Sequence, residues 1–253
     1  MSKIRDWFRS ARTVTAEPFP DQWASFLWNH SAHYRRLSKR LQTTFQHDIQ
    51  RFMTTQRITG VETTVDDPLR LLVAASAVTL SVGWPGYKWN EVSEVLLYPD
   101  DFDRDYAIGR RELSGIAHVW GTVILSVPSL WHSFTYCDEA YHLGFHEFAH
   151  LLTYERGRPI TVPVGLAPER IQLWERIHAN EVNRVVAGDS IIDQYGLQPS
   201  EFFPCAVEVF FQKPIELRER HLRLYRFLGR YFRQSPATWE SKVHARTSTG
   251  SDV

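Results

Sequence analysis

The chain has 253 residues, 43% apolar and 23% charged, with 29 basic side chains against 29 acidic ones. That length supports one substantial hydrophobic core, and the even charge gives no reason to expect nucleic acid or an anionic membrane surface as the main partner. Aromatic residues reach 13%, nine of them Trp, so the core is expected to be rich in rings.

In chain order, residues 1–20 carry basic side chains but no continuous apolar run, which argues against a signal peptide and for a mobile arm. A helical stretch is predicted from about Asp21 to Gln56, because Leu37, Leu41, Phe45, Ile49 and Phe52 recur at helical spacing. Asp66-Asp67-Pro68 reads as a helix start, and Leu69–Val82 as a buried helix stopped by Gly83-Trp84-Pro85-Gly86. That segment is shorter than the about 20 residues a membrane span needs, so no membrane partner is expected. Two strands are expected at Val92–Tyr98 and Thr122–Val127, each rich in Val, Ile and Leu and followed by Pro; whether the second is an edge or an internal strand is open. Helices are predicted at Cys137–Glu155, Ala167–Val186, Pro199–Gln212 and Ile215–Gln234, and the Ser/Thr-rich residues 241–253 read as a disordered tail. The class is therefore α+β, mostly helical with a small sheet, with residues 21–240 as one domain. Cys137 and Cys205 are too few for a disulfide framework and fit a reduced, cytoplasmic protein. The arginines near Arg35–Arg40 and Arg218–Arg233 read as solvated helix faces.

The chemistry concentrates at His146-Glu147-Phe148-Ala149-His150. Two histidines four residues apart share one helix face and can bind a single tetrahedral Zn²⁺, with Glu147 beside the ion as general base of a hydrolase. A catalytic zinc needs a third protein ligand, and the aromatic segment after Pro199 offers two carboxylates, Glu201 and Glu208, seven residues apart on one face. They lie about 10 Å apart along a straight helix, so they cannot both bind the same ion. Cys205, one turn after Glu201, reads as a buried thiol. A rival reading pairs Glu147-x-x-His150 with Glu175-x-x-His178 and the two later carboxylates as a di-iron oxidoreductase; it leaves His146 unused.

Beyond these residues, the chain resembles the Mlc titration factor A-like zinc peptidases, whose catalytic core is related to that of anthrax lethal factor. The resemblance rests on Leu71-Leu72-Val73-Ala74-Ala75 leading to Val95-Leu96-Leu97-Tyr98-Pro99, on the HEFAH motif, on PSEFFPCAVEVFFQKP, and on Tyr231-Phe232-Arg233-Gln234-Ser235-Pro236. It implies a zincin-like fold and one Zn²⁺ per chain held by His146, His150 and Glu201. It further implies Glu147 as general base, and Tyr195 as a donor to the developing oxyanion. The implied activity is that of a peptidase, notably of aminopeptidase type, acting on a peptide or protein. A regulatory protein partner is also implied, so the alternative function is a protein-binding regulator with weak peptidase activity. The chain departs from the family in having Leu151-Leu152-Thr153 where a Leu-Asp pair is usual, and Arg110 and Arg111 near the place of a further histidine.

Overall fold

The computed structural model describes residues 18–110, 112–136, 139–155, 158–159 and 161–238. Most of the expected arm, Cys137 and the expected tail lie outside the described residues.

The predicted helical stretch at the N-terminal side resolves into three helices: α1 (Asp21–His30), α2 (Ala32–Arg36) and α3 (Lys39–Thr55). The breaks are capping events. Ser31 and Ser38 leave helical geometry, and their hydroxyls accept the backbone N–H groups of Tyr34 and Leu41. Strand β1 (Arg57–Gly60) follows, then α4 (Asp67–Ser81), capped by Asp66 onto the N–H of Leu69 with Pro68 in the first turn. Every residue of α4 from Leu71 onward is buried, as expected of a helix that is apolar nearly all round.

The sheet continues with β2 (Glu94–Tyr98), β3 (Gly115–Ala117) and β4 (Thr122–Ser126), in the order β1-β2-β4-β3. Strands β1, β2 and β4 are parallel, and β3 runs antiparallel along one edge with Ile116 opposite Ile124. The second predicted strand is thus internal, with all five residues buried. Alternation sends Val95, Leu97, Val123 and Leu125 into the main core, while Tyr98, Phe102 and Ile124 form a small cluster on the other face.

Helix α5 (Val127–Thr135) begins where a strand end was predicted, with Pro128 in its first turn. Helix α6 (Leu143–Leu151) carries the HEFAH motif and is shorter than predicted: its start is set by His142, whose Nδ1 accepts the N–H of Phe145. A two-residue hairpin, β5 (Tyr154–Glu155) with β6 (Arg158–Pro159), precedes α7 (Pro168–Val186). A 3₁₀ turn at Gln194–Leu197 leads to α8 (Phe202–Gln212), α9 (Pro214–Arg220) and α10 (Leu222–Phe232). The last two were predicted as one helix, which breaks at His221. Every residue of α8 is buried.

Helix α6 sits at the centre, packed on α4, α8 and strands β3 and β4. Its approach to α4 requires Gly144, where a methyl group would lie 2.1 Å from Ser76 Oγ. One apolar cluster of described residues joins Leu27 to Ala237. No described helix is long and apolar enough to cross a membrane.

Candidate metal centre

Helical spacing on α6 puts His146 and His150 on one face, with ring centroids 5.0 Å apart. Glu201, the residue that precedes α8, reaches between them. Its Oε2 lies 3.1 Å from Nε2 of His146 and 3.1 Å from Nε2 of His150. The Ser200 hydroxyl donates to Glu201 Oε1 at 2.9 Å. One donor atom from each of His146, His150 and Glu201 lies within 4.8 Å of the others. Two imidazole nitrogens and one carboxylate oxygen converging at one buried point are the donor set of a catalytic zinc site, so the residues fit the ion that the sequence implies.

The charges agree with this geometry. Burial alone would raise the Glu201 carboxyl, but hydrogen bonds from both histidines hold it well below the usual carboxylate range. Burial would lower His146, yet its partners Cys205, Glu201 and Glu208 push it well above the usual imidazole range.

Glu208 lies on the other side of the His146 ring, with Oε2 3.3 Å from Nδ1. Its second oxygen accepts the backbone N–H of His142 at 2.9 Å, so one carboxylate ties α8 to both the start and the middle of α6. Cys205 is a free, buried thiol next to His146, and with His146 and Glu208 it forms a second compact group of donor atoms.

Glu147 is not part of either donor group. It is buried and faces β3, where a methyl group at Gly115 would come 2.7 Å from its Oε1. Burial raises the Glu147 carboxyl; His146 and His150 oppose the shift, and Glu201 and Glu208 reinforce it.

A cleft of about 480 Å³ opens beside these groups, lined among others by Glu112, Gly115, Tyr141, Glu147, Asp193 and Tyr195. The ladder bonds Ser126 N–H to Ser114 O and His118 N–H to Thr122 O alternate with Gly115 and Ala117, whose backbones therefore turn away from β4 at the sheet edge. Tyr195 is half-exposed, its ring centroid 6.0 Å from that of His146, and Asp193 fixes its turn by accepting its N–H at 2.7 Å. Burial, together with the nearby Glu201 carboxylate, raises the Tyr195 phenol, which keeps its proton.

The structure separates other histidines from the centre. His142 is the buried cap of α6, His118 stacks on Trp120 with centroids 4.3 Å apart, and His178 stacks on Trp174. Among the described residues no metal-type group includes Glu175 or His178, so the di-iron arrangement is not formed. Sequence reasoning missed Gly115, Glu112 and Asp193, for which no local pattern gives a signal.

A helix that sets two histidines against a carboxylate just before a second helix, with a buried glutamate beside them, is the kind of centre that metallopeptidases carry. Residues 5–233 match the sequence profile of the glucose-regulated metallo-peptidase M90 family, and the chain belongs to that family. The uncharacterized protein slr2042 of Synechocystis sp. is 27% identical over 248 residues, covering 91% of this chain and 90% of that protein. The Mlc titration factor A of Pectobacterium atrosepticum is 27% identical over 200 residues, covering 70% of this chain and 73% of that protein. The protein of the same name from Yersinia pestis is 27% identical over 198 residues, with the same two coverages of 70% and 73%. The family resemblance read from the motifs is thereby borne out.

Proposed function

We propose that the chain is a zinc-dependent peptidase in which His146, His150 and Glu201 hold one Zn²⁺ and Glu147 is the general base. The observation that carries this reading is the single Glu201 oxygen placed 3.1 Å from Nε2 of both histidines, with Glu147 buried alongside and outside the donor set. When bound, zinc polarises the scissile carbonyl and makes the attacking water more acidic. Glu208 keeps the proton of His146 on Nδ1 and leaves Nε2 as the donor atom. The raised carboxyl of Glu147 is suited to take a proton from the attacking water and to pass it to the leaving amine. The protonated phenol of Tyr195 donates a hydrogen bond to the oxyanion as it develops.

The outward backbone of β3 would pair with an extended peptide and lay it across the cleft. Glu112 and Asp193 line the same cleft and would receive a free α-ammonium group, which supports an aminopeptidase-type activity. The free thiol of Cys205 beside the centre suits a reducing, cytoplasmic setting. The test is to strip the protein with a chelator, restore it with zinc, and follow hydrolysis of peptides with free and acetylated N-termini. Activity should vanish, return with zinc, and favour the free N-terminus. Hydrolysis that survives stripping would refute the zinc reading, and equal cleavage of both peptides would refute the aminopeptidase reading.

A further inference from the structure

A larger cavity, of about 660 Å³, lies away from the metal centre in the groove between α7 and α10. Its walls carry five arginines: Arg170 and Arg176 from α7, and Arg223, Arg226 and Arg230 from α10. All five are exposed, as the sequence reading of the α10 cluster expected. What the sequence does not show is that α7 presents its own arginines to the same groove. Spacings of three and four residues put Arg223, Arg226 and Arg230 in one stripe on α10.

None of the five forms an ion pair with a carboxylate among the described residues. Arg184 and Arg220 nearby behave differently, since both pair with Asp189 and each has a further glutamate partner. Of the two glutamates that line the groove, Glu181 is buried and engaged by His221, which leaves Glu169 at the rim. Five like charges facing one exposed carboxylate in a single concavity repel one another and create a strong local field for an anion. The floor is apolar: Ile177 and Phe227 are buried beneath, and Leu173 is 37% exposed.

We propose that this groove docks an acidic amphipathic helix of a partner protein, its carboxylates on the arginine walls and its apolar side chains on Leu173, Ile177 and Phe227. Three observations select that occupant over a small anion. The α7 wall runs from Arg170 to Asn180, about 15 Å or some three helical turns. Arginines on both walls flank an apolar floor, the complement of an acidic amphipathic helix. Planar guanidinium groups on both walls suit paired carboxylates. The inference does not rest on the zinc reading.

The experiment measures fluorescence anisotropy of the full-length, zinc-loaded protein with a labelled peptide of about four helical turns, Glu on one face and Leu on the other. A peptide of the same composition with the pattern scrambled is the control, and inorganic pyrophosphate is the competing small anion. The patterned peptide should bind at least ~10-fold more tightly than the scrambled one, and added salt should weaken it. Joint replacement Arg223→Glu, Arg226→Glu and Arg230→Glu should weaken it by at least ~10-fold while peptidase activity is retained. If that variant does not fold, Arg176→Glu on the opposite wall should still weaken binding at least ~3-fold. Absence of binding, equal binding of the two peptides, unchanged affinity in the arginine variants, or complete displacement by equimolar pyrophosphate would each overturn the proposal.

Discussion

Glu208 Oε2 lies 3.3 Å from Nδ1 of His146, on the opposite side of the ring from Glu201. Both nitrogens of one imidazole therefore face carboxylates, and the two carboxylates are assigned different tasks. Glu201 also reaches His150, whereas Glu208 turns its other oxygen to the backbone of His142. Loss of Glu201 should remove a donor atom, and loss of Glu208 should only loosen the ring and its tautomer. Glu208→Ala is expected to weaken zinc binding by about 10- to 100-fold, and Glu201→Ala by far more. Chelator competition gives both dissociation constants; the reverse order would exchange the two roles.

Gly115 is where the sheet edge meets the general base. A methyl group there would come 2.7 Å from Glu147 Oε1 and 2.7 Å from Leu143 Cδ1, so one of the two side chains must shift. Gly115→Ala should lower kcat/KM by about 10- to 100-fold, because a displaced base works poorly even at a small error in position. Zinc content should stay the same, since Glu147 is not among the converging donors. Wild-type kinetics in this variant would show that β3 does not hold Glu147 in place.

Tyr195 is half-exposed, with its ring centroid 6.0 Å from that of His146. A phenol that donates only as the oxyanion forms acts on kcat. Tyr195→Phe should reduce kcat by about 10- to 1000-fold with little change in KM or zinc content. Steady-state kinetics decide the matter, and an unchanged kcat would leave Tyr195 as a packing residue of the loop.

His142 supplies a pH signature of stability. Burial lowers its pKa from 6.5 to about 3, so the folded protein keeps the ring neutral while the unfolded chain protonates it near 6.5. A depressed folded value means that the stabilisation is complete above pH 6.5 and is lost as pH falls towards 3. The loss approaches about 1.4 kcal/mol per pH unit for this group. Asn at the same position can still cap α6. In zinc-free protein, His142→Asn should lose less stability than wild type between pH 6.5 and 4.5, by up to that slope, in urea unfolding. Contributions of opposite sign, such as that of the raised Glu147, are common to both proteins and cancel. Parallel pH profiles would contradict a neutral His142 in the fold.

The residues of the centre were legible because their spacings encode geometry. The step of four residues from His146 to His150, and of seven from Glu201 to Glu208, fixes which side chains share a face whatever the rest of the chain does. Helix α4 was legible from its start at Asp66-Asp67-Pro68 and the apolar run that follows. Strand β3 was not, since three residues give no periodicity and Gly115 carries no side chain to read. The breaks at Ser31 and Ser38 were hidden because each lies inside a continuous helical pattern and becomes a cap only when its hydroxyl finds an N–H. The break at His221 depends on partners far along the chain, Glu181 and Ile191. The arginine groove was invisible for a related reason: half of it comes from α7, and only packing brings the two helices together.

The central claim is that three side chains bind one zinc while Glu147 works beside it without binding it. Metal analysis of wild type and Glu147→Gln, together with a peptide hydrolysis assay, tests this most directly. Both proteins should carry about one zinc per chain, and only the wild type should cleave the peptide. Loss of zinc from Glu147→Gln, full activity in that variant, or two irons per chain in the wild type would contradict the account.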